Sequence, residues 1–134
     1  MIIEKIKKYD LKNCLVLPWQ DVDMLPFSLA AADLAVITLG KEASALSVPS
    51  KTFNLMSVGV PLLCIAESTS ELAGLVMRYE MGKCFAPTDL QNMIAYIEHV
   101  NSDKAYREKL CQNALNASKD FGPENAKQFV VENN

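Results

Sequence analysis

The sequence predicts an α/β domain, a parallel sheet of about four strands with flanking helices. Four short apolar runs have the length and composition of buried strands, and segments with helical spacing alternate with them along the chain. Polar, proline or glycine residues punctuate the changes between the two patterns. The predicted strands are Cys14–Leu17, Leu34–Thr38, Leu62–Ala66 and Met81–Phe85.

Length and charge narrow the class of protein. The 134 residues suffice for one domain with a proper core, and 50% of them are hydrophobic. The net charge is -3, so no nucleic acid is predicted as a partner, because binding a duplex requires clustered Lys and Arg. The basic run from Lys5 to Lys12 is expected on a solvated helix face, with an acidic membrane surface or a partner segment as alternatives. No segment approaches the ~20 apolar residues of a membrane span, and no signal-peptide core is present, which favours a cytoplasmic protein.

The cysteines and the histidine do not form a metal-binding pattern. Cys14, Cys64, Cys84 and Cys111 lack close spacing and lie in apolar contexts, which predicts reduced thiols in the core. His99 ends an amphipathic helix, where a cation suits the carbonyl end, so a capping role is favoured over catalysis. We predict no metal and no cofactor.

The N-terminal part is predicted to contain a helix, the first strand and a second helix. Apolar residues from Ile2 to Tyr9 share one face of the first helix. Trp19 follows the first strand and is expected to be a half-buried structural residue, with stacking on a nucleobase as the alternative. The second helix spans Val22 to Ala32, and Pro26 restricts its true start to the region of Asp23 to Leu25.

The stretch from Leu39 to Pro61 joins the end of the second strand to a helix and contains the candidate chemistry. Val48-Pro49-Ser50-Lys51 opens this helix, since proline is tolerated there and the Ser50 hydroxyl can accept a bond from an unpaired backbone amide. Gly59 suits a left-handed cap, and Pro61 prevents continuation.

A helix amino end beside the carboxyl ends of parallel strands favours an anion, because its free N–H groups and its dipole attract negative charge. Ser50 and Lys51 are therefore predicted to hold phosphate oxygens, and Asn54, one turn further, to reach a sugar hydroxyl. The residues alone leave open a plainer alternative, a surface helix with an ordinary cap and a solvated lysine.

The remaining helices are predicted from spacing and caps. Ser68 or Ser70 caps the first of them, and Asn101-Ser102-Asp103 separates the second from the third. The predicted ranges are Glu71 to Tyr79, Pro87 to Val100, Lys104 to about Asp120, and Glu124 to Glu132.

Asp33 precedes an apolar strand, Glu42 lies in the following loop, and Val48-Pro49-Ser50-Lys51 leads to Gly59-Val60-Pro61. This pattern resembles the donor-binding half of retaining glycosyltransferases of the GT-B fold, glycosyltransferase family 4. More narrowly, it is similar to the branch with a V-P-S-K helix start that is met in bacterial surface-polysaccharide synthesis. The resemblance implies that residues 1–134 are a partial, Rossmann-like C-terminal domain without the N-terminal acceptor domain and the first strands, as in a fragment or truncated reading frame.

The resemblance also implies which residues meet the donor. The family carries a pair of glutamates, the second of which meets the ribose of the nucleotide. Asn54 stands at the second place and Leu46 at the first, so this chain departs from the family at both. Glu42 is then expected to touch the donor sugar from a longer loop, and Asn54 to bond the ribose as a neutral partner. The implied donor-contacting set is Glu42, Ser44, Ala45, Leu46, Ser50, Lys51 and Asn54.

The function implied is that of a glycosyltransferase fragment. It binds the diphosphate and ribose of a nucleotide-sugar donor for transfer with retention, and alone it has little or no turnover; its parent is cytoplasmic or peripheral to the inner membrane. Two other classes stay open, a flavodoxin-like regulatory or nucleotide-binding module and a sugar-nucleotide epimerase half-domain. A receiver module would require acidic residues where the second strand ends, and this chain has Thr38-Leu39-Gly40 there.

The missing strands of the implied fold lie between the first and second predicted strands, which leaves exposed sheet edges. We expect either that the first strand pairs directly with the second or that another copy fills the gap. Self-association through the sheet edge follows from this expectation.

Overall fold

The computed structural model describes residues 1–42 and 47–122. Within these ranges the chain forms a parallel sheet in the order β1-β2-β3. The pairing aligns Val36 with Leu63 and Cys64 with Cys84. The predicted α/β class is confirmed, and so are the last three predicted strands. The bounds are β1 Ala35–Thr38, β2 Leu62–Ile65 and β3 Gly82–Phe85.

Six α-helices accompany the sheet in the described ranges, with short 3-10 helices at Val22–Met24 and Lys119–Phe121. The second helix begins at Leu25, within the region that Pro26 predicted. The bounds are α1 Ile2–Lys8, α2 Leu25–Ala30, α3 Ser50–Ser57, α4 Glu71–Tyr79, α5 Leu90–Ser102 and α6 Lys104–Ser118. The predicted helix from Glu124 to Glu132 lies outside the described residues.

Buried side chains form one cluster on each face of the sheet, as in a Rossmann-like fold. Alternate strand residues point to opposite faces, so Leu62 and Cys64 enter one cluster and Leu63 the other. The first cluster includes residues of α3, α4 and the C-terminal half of α6, and the second includes residues of α5 and Leu110 of α6. Both faces of the central strand β2 are therefore covered, as its continuous apolar sequence predicts.

Two of the predicted helix caps are present. The Ser70 hydroxyl accepts a bond of 3.1 Å from the backbone N–H of Ala73, and Asp103 accepts one of 3.0 Å from Tyr106. These bonds satisfy amides that the first turns of α4 and α6 leave unpaired. Gly59 has φ 72°, as the sequence predicts for the position after α3. A Cβ atom there would lie 2.8 Å from Cγ of Leu115.

The carbonyl oxygen of Leu62 in β2 is contacted by both β3 and α5. A Cβ atom on Gly82 would lie 2.0 Å from the Leu62 carbonyl oxygen, so β3 begins where only glycine fits. The Tyr96 hydroxyl donates a buried bond of 3.1 Å to the same oxygen. Burial raises the pKa of this phenol, which keeps its proton available as a donor.

The prediction of a first strand at Cys14–Leu17 is wrong. No strand forms there, and the Leu15 and Leu17 side chains are 82% and 60% exposed. Apolar composition suits a strand but cannot supply the neighbouring strand that its backbone groups need, and among the residues described no strand lies beside this segment. Of the two expected alternatives, direct pairing with β1 therefore does not occur.

Two smaller predictions about the N-terminal part, on Cys14 and Trp19, are also wrong. Cys14 is exposed and is not a core thiol, whereas Cys64 is buried. Trp19 is 98% exposed and not half-buried. The apolar face of α1 packs into neither core cluster, and Ile2 and Tyr9 are 73% and 61% exposed. Association through the sheet edge stays a prediction.

Candidate functional site

The amino end of α3 lies at the edge of the sheet where the strands end. The chain leaves β1 at Thr38, passes through a loop to α3 and returns to β2, which is parallel to β1. A helix that connects two parallel strands in this way must run opposite to them, so its first turn is on the side of their carboxyl ends. Ser50 and Lys51, in that turn, are both exposed to solvent.

The first turn of α3 has no side-chain cap. Pro49 occupies the N-cap position with an extended backbone, and its carbonyl accepts a bond of 2.9 Å from the Thr52 amide. Ser50 is the first residue of the helix, so the prediction that its hydroxyl caps α3 is wrong. A capping oxygen must precede the helix, and proline stands there. Within the described ranges the backbone amides of Ser50 and Lys51 have no acceptor.

Lys51 and Asn54 extend this polar surface by one turn. Their spacing of three residues puts them on neighbouring parts of the helix, and both are exposed. The Asn54 carbonyl accepts a bond of 2.7 Å from the Ser57 hydroxyl, but its side-chain amide has no partner in the described part of the chain. Lys51 forms no ion pair with any residue that the structure describes. The structure thus brings Ser50, Lys51 and Asn54 together on the first turns of α3, and their role as donor contacts stays a prediction.

The loop before α3 is described only in part. Glu42 lies in an exposed turn shortly after β1. The predicted donor contacts Ser44, Ala45 and Leu46 lie outside the described residues.

The opposite side of α3 holds the helix against the core. Thr52, Leu55 and Met56 are buried, and the Phe53 ring lies 5.1 Å from the Phe121 ring between centroids. The Thr52 hydroxyl is fully buried, and it is without a hydrogen-bond partner in residues 1–42 and 47–122. Sequence reasoning missed this hydroxyl. The β-branched residue on the inward face, three positions after Pro49, is the only pattern that points to it.

The cysteine, histidine and aspartate side chains away from α3 make contacts within the fold. Burial, and then the neighbouring Cys84, raise the pKa of the Cys64 thiol to about 12, so it stays protonated and is a poor nucleophile near neutral pH. His99 stacks on Tyr106 with 3.9 Å between centroids, and its Nε2 lies 3.5 Å from Asp103 Oδ2. The backbone N–H of Tyr106 is the main cause of a lowered pKa of Asp103. No group of three or more possible metal ligands occurs among the residues described.

Comparison with known proteins gives one distant relative to report. The chain is 28% identical over 105 residues to a probable glycosyltransferase, WbjE, of Pseudomonas aeruginosa. This chain is similar to part of a glycosyltransferase. The match covers 74% of this chain and 26% of the relative, so the chain spans about a quarter of the length of that protein. No protein-family model matches the chain.

This similarity agrees with the expectation of a glycosyltransferase at a general level only. The narrower expectations, family 4 and the V-P-S-K branch, stay predictions. Among the helices described, none has the length and apolar character needed to cross a bilayer.

Proposed function

We propose that the chain binds the diphosphate and ribose of a nucleoside-diphosphate sugar at the amino end of α3. In this proposal it is the donor-binding part of a retaining GT-B glycosyltransferase of family 4 in surface-polysaccharide or glycan synthesis. One observation carries the proposal. The amino end of α3 is exposed and uncapped at the carboxyl edge of a parallel sheet, with Lys51 in its first turn, in a chain similar to part of a glycosyltransferase.

Charge development during transfer gives these groups a chemical role. When the bond between the sugar and the diphosphate breaks, negative charge grows on the leaving phosphate oxygen. The amides of Ser50 and Lys51, which have no acceptor among the residues described, and the Lys51 ammonium group are hydrogen-bond donors that stabilise this charge. The positive end of the helix dipole stabilises it as well. Hydrogen-bond donors that are fixed before the reaction bind the transition state more strongly than the intact nucleotide sugar, because the leaving oxygen carries more negative charge in the transition state. This difference is the condition for catalysis.

The remaining contacts set the orientation of the donor. Asn54, one turn after Lys51, bonds a ribose hydroxyl through its amide, more weakly than a carboxylate at that position would. Glu42 touches the transferred sugar from the loop after β1. The acceptor site belongs to other parts of the parent enzyme in this proposal, so these residues alone bind donor without transferring sugar.

The experiment is a titration of UDP, GDP and their sugars into the chain, followed by calorimetry or NMR. We expect a diphosphate to bind, and Lys51→Ala to weaken binding about tenfold, which corresponds to one charged hydrogen bond. Lys83→Ala is the matched control, because Lys83 is an exposed lysine on β3, at the far side of the sheet from β1. The proposal fails if Lys51→Ala leaves diphosphate affinity unchanged, or if both variants weaken it equally.

A further inference from the structure

A groove of about 440 Å³ runs between α3 and α4. Apolar side chains form its floor, and Phe121 at its end is 45% exposed. Along one side, the groove is lined by the outer face of α4, which is called the α4 wall below. The floor residues are Val48, Phe53, Leu75 and Phe121, and the residues of the α4 wall are Glu71, Gly74 and Arg78.

The α4 wall is a single stripe of exposed residues. Glu71, Gly74 and Arg78 follow one another at spacings of three and four, which places them on one side of the helix. The two charges are two turns apart, roughly 10 Å along the axis. Neither Glu71 nor Arg78 takes part in an ion pair within the described part of the chain.

This stripe is complementary to itself. When two such helices lie antiparallel about a two-fold axis, Glu71 of each copy faces Arg78 of the other. The axis then passes beside Gly74, where the missing side chain allows the two backbones to approach. A Cβ atom at Gly74 would meet nothing within 4 Å, so the space above this glycine is open in the monomer.

We propose that α4 is a self-association surface. Two copies pack with their α4 helices antiparallel, and the stripe of each α4 contacts the stripe and the adjoining groove of the other copy. Burial of Phe121 and Leu75, which both line the groove, supplies the favourable term. The exposed ion pairs contribute modestly and fix the orientation. A helix of nine residues covers less than the roughly 800 Å² per partner of a standard interface, so the dimer is weak and reversible.

Sedimentation velocity over a concentration series tests the proposal, with each charge reversed in turn. Wild type is expected to show reversible dimerisation. Arg78→Glu and Glu71→Arg each create two like-charge contacts across the axis, so each is expected to raise the dimer dissociation constant about tenfold or more. The double variant Glu71→Arg/Arg78→Glu restores opposite pairs and is expected to dimerise like wild type. A merely structural role for either side chain would not produce this recovery.

Two further variants separate dimerisation from folding and from other surfaces. Gly74→Gln gives α4 a better helix former with room for its Cβ, so the fold is retained while docking is blocked. Val36→Lys changes the outer edge of β1 and is expected to leave the α4 dimer intact. Circular dichroism checks the helix content of every variant. The proposal is overturned if wild type stays monomeric throughout, if dimerisation ignores the single reversals, or if the double variant does not recover.

Discussion

Lys51 and Thr52 are neighbours in the first turn of α3 with opposite surroundings. The Lys51 side chain extends into solvent, whereas the Thr52 hydroxyl is buried without a described partner. A buried hydroxyl that lacks its bond costs about 1–3 kcal/mol relative to a satisfied one. The turn that carries the proposed phosphate contacts therefore also contains a polar group that does not help the fold.

Cys64 makes stability depend on pH in the alkaline range. Its pKa is raised from 9.0 to about 12, so between these values the unfolded chain loses a proton that the folded chain keeps. The contribution of the protonated Cys64 thiol to the free energy of unfolding is therefore fully present below pH 9, and it is lost as the pH rises toward 12. The Cys64 part of the slope reaches at most about 1.4 kcal/mol per pH unit. Urea unfolding at a series of pH values measures it.

The comparison for this prediction is Cys64→Ala. This variant is less stable at pH 7, because a buried side chain is lost, but its stability declines less steeply above pH 9. Burial also raises the pKa of Cys84, so some decline remains. Identical slopes for the two proteins would contradict the role assigned to Cys64.

At the level of single residues, the sequence predicted the exposed positions on α3 but neither its uncapped start nor its buried hydroxyl. Lys51 and Asn54 are exposed where helical spacing placed them. Ser50 fails as a cap, because a one-residue shift of the helix start turns a capping position into a helical one. The Thr52 hydroxyl escaped notice because its burial depends on which elements pack over α3, and spacing within one helix does not carry that information.

At the scale of elements, the turn after α3 depends on one glycine. Gly59→Ala is expected to destabilise the protein by about 1–3 kcal/mol, since the left-handed backbone strains any side chain. In addition, the new Cβ lies too close to Leu115 of α6. Chemical denaturation of both proteins measures the loss.

A second substitution separates the two causes. Leu115→Ala removes the contact, so the double variant is expected to regain the steric part of the loss and to retain the backbone part. Leu115 is 37% exposed, so its own truncation costs less than that of a buried leucine, and Leu115→Ala alone is the reference for the double variant. A Gly59→Ala protein as stable as wild type would show that neither cause operates.

The elements that were predicted correctly are those whose neighbours follow from the sequence itself. β2 is buried on both faces and is flanked by strands that local patterns also identify. Cys14–Leu17 has an equally apolar sequence, yet it remains exposed because a strand exists only with a partner. The amino-acid composition of a segment indicates how readily it forms a strand. Whether a sheet edge is available for that strand depends on the fold of the whole chain.

At the scale of the whole molecule, order is distributed unevenly. Most large apolar side chains from Met1 to Phe27 are exposed, whereas the segment from Leu55 to Ala117 contains nearly all of the buried core. Backbone amides from Lys12 to Gln20 donate no backbone hydrogen bond within the described ranges. Local opening should therefore begin in the N-terminal part.

Hydrogen exchange followed by mass spectrometry tests this expectation. Peptides that cover residues 12–20 are expected to exchange at nearly the rate of an unfolded chain, and peptides of β2 to exchange last. The comparison is made at low and high protein concentration. Protection of residues 12–20 comparable to that of β2 would contradict the described fold, and protection at high concentration alone would indicate pairing between copies.

Trp19 is the chain's one tryptophan, and it is 98% exposed. We therefore expect its fluorescence to have the emission maximum of an indole in water already in the folded protein, so unfolding should leave that maximum unchanged. The wavelength of tryptophan emission therefore does not report the unfolding of this protein. For the same reason, a blue shift on adding a nucleotide would have one simple source, a base or sugar that comes to rest against that loop.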